Sequence, residues 1–292
     1  MTGLAPIDGV AVLAIFAKAL GYGAALLAMG GVVFTFVFAS RATPDVLRLA
    51  RRIAIAAALF GLVVLALRFG IRAARISGMG LEGATDPIML GFVWESPIGT
   101  AAIWRGLGEV AILALLLPGI GRWIALGGSF AVSISYTQVG HTLGDPRGPL
   151  AALLTLHLLA AGLWVGALVP LRRAARSPEG ADLLHHFGIV AACAVGLLIA
   201  VGVALSWLLS GSLSALFGTA YGWALLTKVS LVTGLLGLAA LNKWQLVPAL
   251  QAGDARAAAG LRLSISIEMV VIILILLVTA TITSVTTPPV NL

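Results

Sequence analysis

Two histidines in this chain stand where imidazole is unusual. His141 closes one apolar run, and His157 lies inside the next, LLTLHLLAAGLWVGALV. The segment between them, Gly144-Asp145-Pro146-Arg147-Gly148-Pro149, is made of residues that break helices. Ionisable groups at membrane depth are costly, which makes them functional candidates by default. Neutral imidazole suits copper, zinc and iron, and thioether sulfur selects Cu(I). Thioethers are at hand in Met79 and Met89, within SGMGLEGATDPIMLGFVWES, a stretch that also carries Glu82, Asp86 and Glu95. Two readings stay open for these side chains: metal ligands, or core histidines satisfied by backbone and methionines that pack.

Charged groups recur at one level of the apolar sequence. Lys18, Arg105, His157 and Lys228 each fall about seven or eight residues into an apolar run, roughly 10–12 Å below its outer end at helical rise. Glu109 follows Arg105 by one helical turn, so the two can pair on one face. Glu268 is the acid that comes to mind for Lys228, but by position it lies nearer the opposite membrane face. Trp164 sits one to two turns deeper than His157, whereas Trp94, Trp104, Trp123, Trp207, Trp223 and Trp244 fall near run ends, as an interfacial belt would. His185 and His186, beside Asp182, read as a solvated pair or as a release site on the inner side.

The elements that must hold these groups are membrane helices. Of 292 residues, 60% are hydrophobic and 10% charged, with mean hydropathy +1.10, against roughly 25% charged in soluble domains. Apolar runs of roughly 20 residues fit transmembrane helices and not barrel strands. Eight spans are expected, near 10–39, 52–75, 98–117, 122–141, 150–170, 188–210, 220–242 and 263–285. They form an all-α integral membrane protein, one polytopic domain over 1–292. A weak internal likeness, Gly99 before Arg105 and Gly222 before Lys228, suggests two parallel four-helix halves, 1–145 and 146–292. The opening segment reads as the first span and not as a cleaved leader.

Arg41, Arg48, Arg51, Arg52, Arg122, Arg172, Arg173, Arg176, Lys243, Arg256 and Arg262 follow the odd-numbered spans. The positive-inside bias then puts both termini outside. Arg68, Arg72 and Arg75 run against it, and either snorkel outward or pair with Glu82, Asp86 or Glu95. The net charge of +7 is thus an orientation signal and not a nucleic-acid footprint. The single cysteine, Cys193, permits no internal disulfide. No nucleophile elbow, zincin or phosphate loop occurs, and an enzyme is not expected.

Several stretches resemble the copper-resistance protein D family of bacterial inner-membrane proteins. They are GHT at Gly140–Thr142, LHLLAAGLWVGAL at Leu156–Leu168, TAYGWALLTKVSLVTGLLGLAALNKWQLVPAL at Thr219–Leu250, SPIGTAAIWRGLGEV at Ser96–Val110 and the closing TSVTTPP. The resemblance implies an eight-helix, multi-pass inner-membrane protein that handles copper, moving it from periplasm to cytoplasm beside a periplasmic copper-binding partner. It implies His141 and His157 as the motif histidines. The first span departs from such a site by offering Lys18 and no imidazole.

Three functions compete. In copper permeation, Met79 and Met89 capture Cu(I), His141 receives it and His157 passes it inward. In a haem or quinone protein, His141 or His157 is an axial ligand, and the cations neutralise propionates or a semiquinone; two histidines at membrane depth allow at most one bis-histidine haem. In the third, the chain delivers copper to another membrane protein without transporting it. Oligomeric state is open.

Overall fold

A computed structural model describes residues 7–140, 147–210 and 213–286, and among these the chain is helical with no strand. The helices are α1 Gly9–Val37, α2 Pro44–Ser77, α3 Pro87–Glu95, α4 Pro97–Ile112, α5 Gly121–Ser135, α6 Arg147–Ala174, α7 Ala181–Ser210, α8 Leu213–Gly218, α9 Ala220–Leu241, α10 Val247–Gln251 and α11 Ala255–Val285. Capping residues written into the sequence set the ends. The Asp8 carboxylate accepts from the Ala11 N–H at 2.7 Å and opens α1. Asp86 and Ser96 cap α3 and α4, each followed by a proline at the first helical position, where no N–H is needed. Gly78, at φ +69°, closes α2 in the left-handed conformation that side chains disfavour.

Seven helical stretches are long and apolar enough to cross a membrane: Gly9–Val37, Pro44–Ser77, Pro97–Leu116, Arg147–Ala174, Ala181–Leu208, Ala220–Gln251 and Arg256–Val285. This is an all-α integral membrane protein. The expected fourth span is the shortfall. It folds as α5, 15 residues long, followed by a 3₁₀ turn at Tyr136–Gln138, and a bilayer crossing takes about 20 residues. The stretch expected as an outer loop is also structured, holding a 3₁₀ segment at Gly80–Thr85 and then α3. The six tryptophans assigned to a belt are 42–72% exposed on the apolar surface, while Trp164 is 6% exposed.

The bundle is built around α1, which packs against α2, α4, α5, α6 and α11. Small residues let these axes approach. A Cβ added at Gly166 of α6 would lie 2.5 Å from the Gly31 nitrogen and 2.6 Å from the Gly30 Cα. Both obstacles are backbone, so the helices would have to separate. Gly166→Ala should therefore lower stability by about 1–3 kcal/mol or more, the usual cost of overpacking. A fall of several degrees in the thermal midpoint, larger than for Gly234→Ala, where nothing lies within 4 Å, is the expected readout.

Candidate functional site

The polar groups of the interior fall into three neighbourhoods. The first is centred on Arg105 of α4, 5% exposed. Its Nε donates to Glu109 one turn along, as the spacing predicts. Its Nη1 donates to the Tyr136 hydroxyl, and its Nη2 donates to the Gly21 carbonyl of α1 at 2.8 Å. Tyr136 donates to that same carbonyl at 3.3 Å, and its ring lies 4.9 Å from the guanidinium carbon. Glu109 is fully buried, and its Oε2 has no hydrogen-bond partner.

Room for this carboxylate comes from Gly61 of α2, where an added Cβ would lie 2.7 Å from the Glu109 carboxyl carbon. Gly61→Ala should cost about 1–3 kcal/mol by overpacking. Adding Glu109→Ala should recover part of that loss, with a coupling of about 0.5–3 kcal/mol in a double-mutant cycle.

Beside this network, Lys18 donates to the Thr283 carbonyl at 2.6 Å, and the Tyr22 and Thr283 hydroxyls are 3.1 Å apart. Arg68 also belongs here. It packs against Gly21 and acts electrostatically on both Lys18 and Glu109. None of Arg68, Arg72 and Arg75 is ion-paired with Glu82, Asp86 or Glu95 among the described residues. Pairing with those acids is thus not the arrangement, because α2 turns Arg68 inward. Sequence reasoning placed Arg68 at the outer boundary and passed over Tyr22, Tyr136, Thr283 and Gly61. The one available signal was that Tyr22 lies one turn after Lys18 and Tyr136 five residues before His141.

The second neighbourhood is His157, half-buried in the N-terminal half of α6. Its Nδ1 is closed off from solvent and has no hydrogen-bond partner. Lys228 of α9 lies within electrostatic reach of the ring, and both α6 and α9 pack on α11. A buried polar atom without a partner costs about 1–3 kcal/mol, and this nitrogen is not taken up by any protein group. His141 lies outside the described residues.

Met79 and Met89 are not gathered around His157. Met79 is 51% exposed after the end of α2. Met89 is in the first turn of α3, which packs against α2 and α4. The Asp86 carboxylate is occupied in accepting the Met89 N–H at 2.9 Å. Among the described residues no three His, Cys, Asp or Glu side chains come together as a metal cage.

In the third neighbourhood, Glu268 of α11 is 3% exposed. Its carboxylate accepts from Trp164 Nε1 at 3.2 Å and from Asn242 Nδ2 at 2.5 Å. Lys228 does not reach it, in keeping with the depths counted from sequence. His185 and His186 stand in the first turns of α7 and not in a loop, because the helix begins at Ala181. His186 Nδ1 is 3.6 Å from Asp182, which also pairs with Arg41 at 3.3 Å. A groove of 320 Å³ opens at this end of the molecule, lined by Arg41, Asp45, Arg173, Arg176 and Glu179 among others. Arg173 is 16 residues along α6 from His157, about 24 Å, so the groove does not reach the ring.

Comparison with known proteins bears on what these groups serve. No solved structure matches the chain. The copper transport protein CutJ of Bacillus subtilis (strain 168) is 28% identical over 247 residues, which cover 77% of this chain and 45% of that protein. The chain thus spans about half the length of that relative. Residues 7–146 match the family described as copper resistance protein D-like, N-terminal domain, and residues 181–282 match copper resistance protein D. The two matches follow one another and take in the buried Arg105, Glu109 and Glu268 but not α6, which carries His157 and Trp164, and the chain belongs to the copper resistance protein D family.

Proposed function

We propose that this protein carries copper across the bacterial inner membrane, from periplasm to cytoplasm, with His157 as the ligand inside the membrane. The observation that carries this reading is the unpartnered, buried Nδ1 of His157 on a membrane-spanning helix. Its family and the name of its relative supply the metal. Copper is cargo here and not a resident cofactor. Cu(I) is favoured because it accepts few ligands, sulfur and imidazole among them. Met79 and Met89 form the outer capture step, His141 passes the ion to His157, and His185 and His186 receive it on the cytoplasmic side. Conduction needs each station to hold the ion only moderately, which suits separate ligands better than a closed cage. A periplasmic copper-binding protein would load the outer methionines.

In this arrangement α5 and the turn after it make an eighth, shorter crossing, and the arginine-rich loops lie in the cytoplasm with both termini outside. Of the three cations at the level of His157, two are engaged elsewhere, and Lys228 is the one within electrostatic reach of the ring that the ion must pass. Arg105 is neutralised by Glu109, and the Lys18 ammonium is directed to the Thr283 carbonyl.

Uptake into proteoliposomes tests the function. Cu(I) supplied outside should accumulate inside faster than in protein-free vesicles, and Zn(II) or Mg(II) should not. Equal copper entry with and without protein would overturn transport. Stoichiometric copper binding without flux would instead favour delivery to another protein.

A further inference from the structure

Glu268 is unlike the other buried carboxylate. Glu109 has Arg105 to neutralise it, whereas Glu268 makes no ion pair among the described residues. It lies about 20 Å from the start of α11 and about 25 Å from its end at helical rise, deep in the apolar interior. The neighbours that face it are neutral: Trp164 from α6 and Asn242 from the segment after α9. Neither Arg172 of α6 nor Lys243 beside Asn242 is ion-paired with it. Arg172 donates to Ser266 at 2.8 Å, and the Lys243 stem lies against Gly188 of α7.

Local sequence explains why Asn242 is there. Pro248 has no N–H, and its ring crowds the carbonyl four residues back. The chain relieves this by widening into a π turn at Asn242–Leu246, closed by Val247 N–H donating to the Asn242 carbonyl. Such turns recur at functional sites, and this one delivers Asn242 to the carboxylate.

Two oxygens beside Glu268 are buried without partners, Asn242 Oδ1 and Ser264 Oγ. Ser264 is one turn before Glu268 on the same face of α11. Trp164 can only donate, so it serves one carboxyl oxygen in either protonation state. A primary amide is two-sided. Its NH₂ donates to a carboxylate, and after a half-turn its oxygen accepts from a carboxylic O–H.

We propose that Glu268 is a reversible proton-binding site, with the Asn242 amide as the partner that serves both of its states. In the loaded state a carboxylate oxygen has taken up one proton, forming an O–H bond donated to Asn242 Oδ1, and the site is neutral. In the released state that bond is broken, the proton has left toward Ser264 and the start of α11, and Asn242 Nδ2 donates to the carboxylate. This site goes beyond copper handling and stands without it.

Infrared difference spectroscopy of the protein in lipid nanodiscs, cycled between acidic and alkaline buffer, tests it. The expected result is a carboxylic C=O band that comes and goes reversibly, is absent from Glu268→Gln, and is displaced in Asn242→Leu. Should Glu268→Gln fail to fold, Asn242→Leu and Trp164→Phe keep the carboxyl, and displacement of the same band in both carries the test. The proposal is overturned if the pH-dependent spectra of Glu268→Gln and wild type superimpose. A band removed by Glu268→Gln but unchanged by pH overturns it as well, since that is a fixed structural acid. So does a titrating band indifferent to both Asn242→Leu and Trp164→Phe.

Discussion

Replacing Arg105 with Leu should be among the most damaging single changes to this protein, costing about 3–5 kcal/mol, the usual price of removing one partner of a buried ion pair. The magnitude follows from what stays behind. Glu109 is fully buried, and without Arg105 its charge has no compensation in an apolar interior. Tyr136 loses its donor at the same time, and the Gly21 carbonyl is left with the Tyr136 hydroxyl alone. A surface pair offers the contrast: Arg41 and Asp182, at 41% and 64% side-chain exposure, should give at most about 1 kcal/mol. Unfolding followed by heat or denaturant in detergent should show a large loss for Arg105→Leu and a marginal one for Arg41→Ala. The double variant Arg105→Leu, Glu109→Leu should regain much of the stability, because two apolar side chains replace two charges. Equal losses in the single and double variants would mean that the pair is not what the helices are holding.

His157→Ala should have the opposite profile, with little effect on folding and a large one on copper. The Nδ1 atom makes no hydrogen bond to lose, so truncation removes packing area and no polar partner. Loss of second-layer groups around a metal already costs about 10–100-fold in affinity, and loss of a direct ligand should cost at least that. Initial Cu(I) uptake should fall by about tenfold or more, with the thermal midpoint nearly unchanged. His157→Met, which supplies a soft thioether, should recover part of the flux. A variant that transports normally but unfolds early would return this histidine to an ordinary packing role.

Much of the bundle was legible in the sequence because membrane spans are the easiest elements to read. Repeated apolar runs with arginines between them leave few alternatives to helices. The Arg105–Glu109 contact was legible for a local reason, since both groups sit one turn apart on one helix. Contacts between helices were not. Tyr136 and Gly21 reach Arg105 through the crossing of α1, α4 and the turn after α5, and no spacing in the chain announces that. Arg68 was misplaced because charge counting treats an arginine near a helix end as interfacial, whereas Gly21 leaves a notch that draws it inward. The fourth span reads as apolar through residue 141, but its helix gives way at Tyr136–Gln138, where Thr137 is buried and polar. Trp164 was separated correctly from the belt by depth, although its role as donor to Glu268 required the fold.

The most direct test of the ligand inside the membrane is the X-ray absorption spectrum of the purified protein loaded anaerobically with Cu(I). The wild type should show an imidazole nitrogen bound to copper, and His157→Ala should lose that signal along with retained metal. A copper environment identical in the two proteins, or one built from sulfur and oxygen alone, would contradict His157 as the station on which copper handling turns.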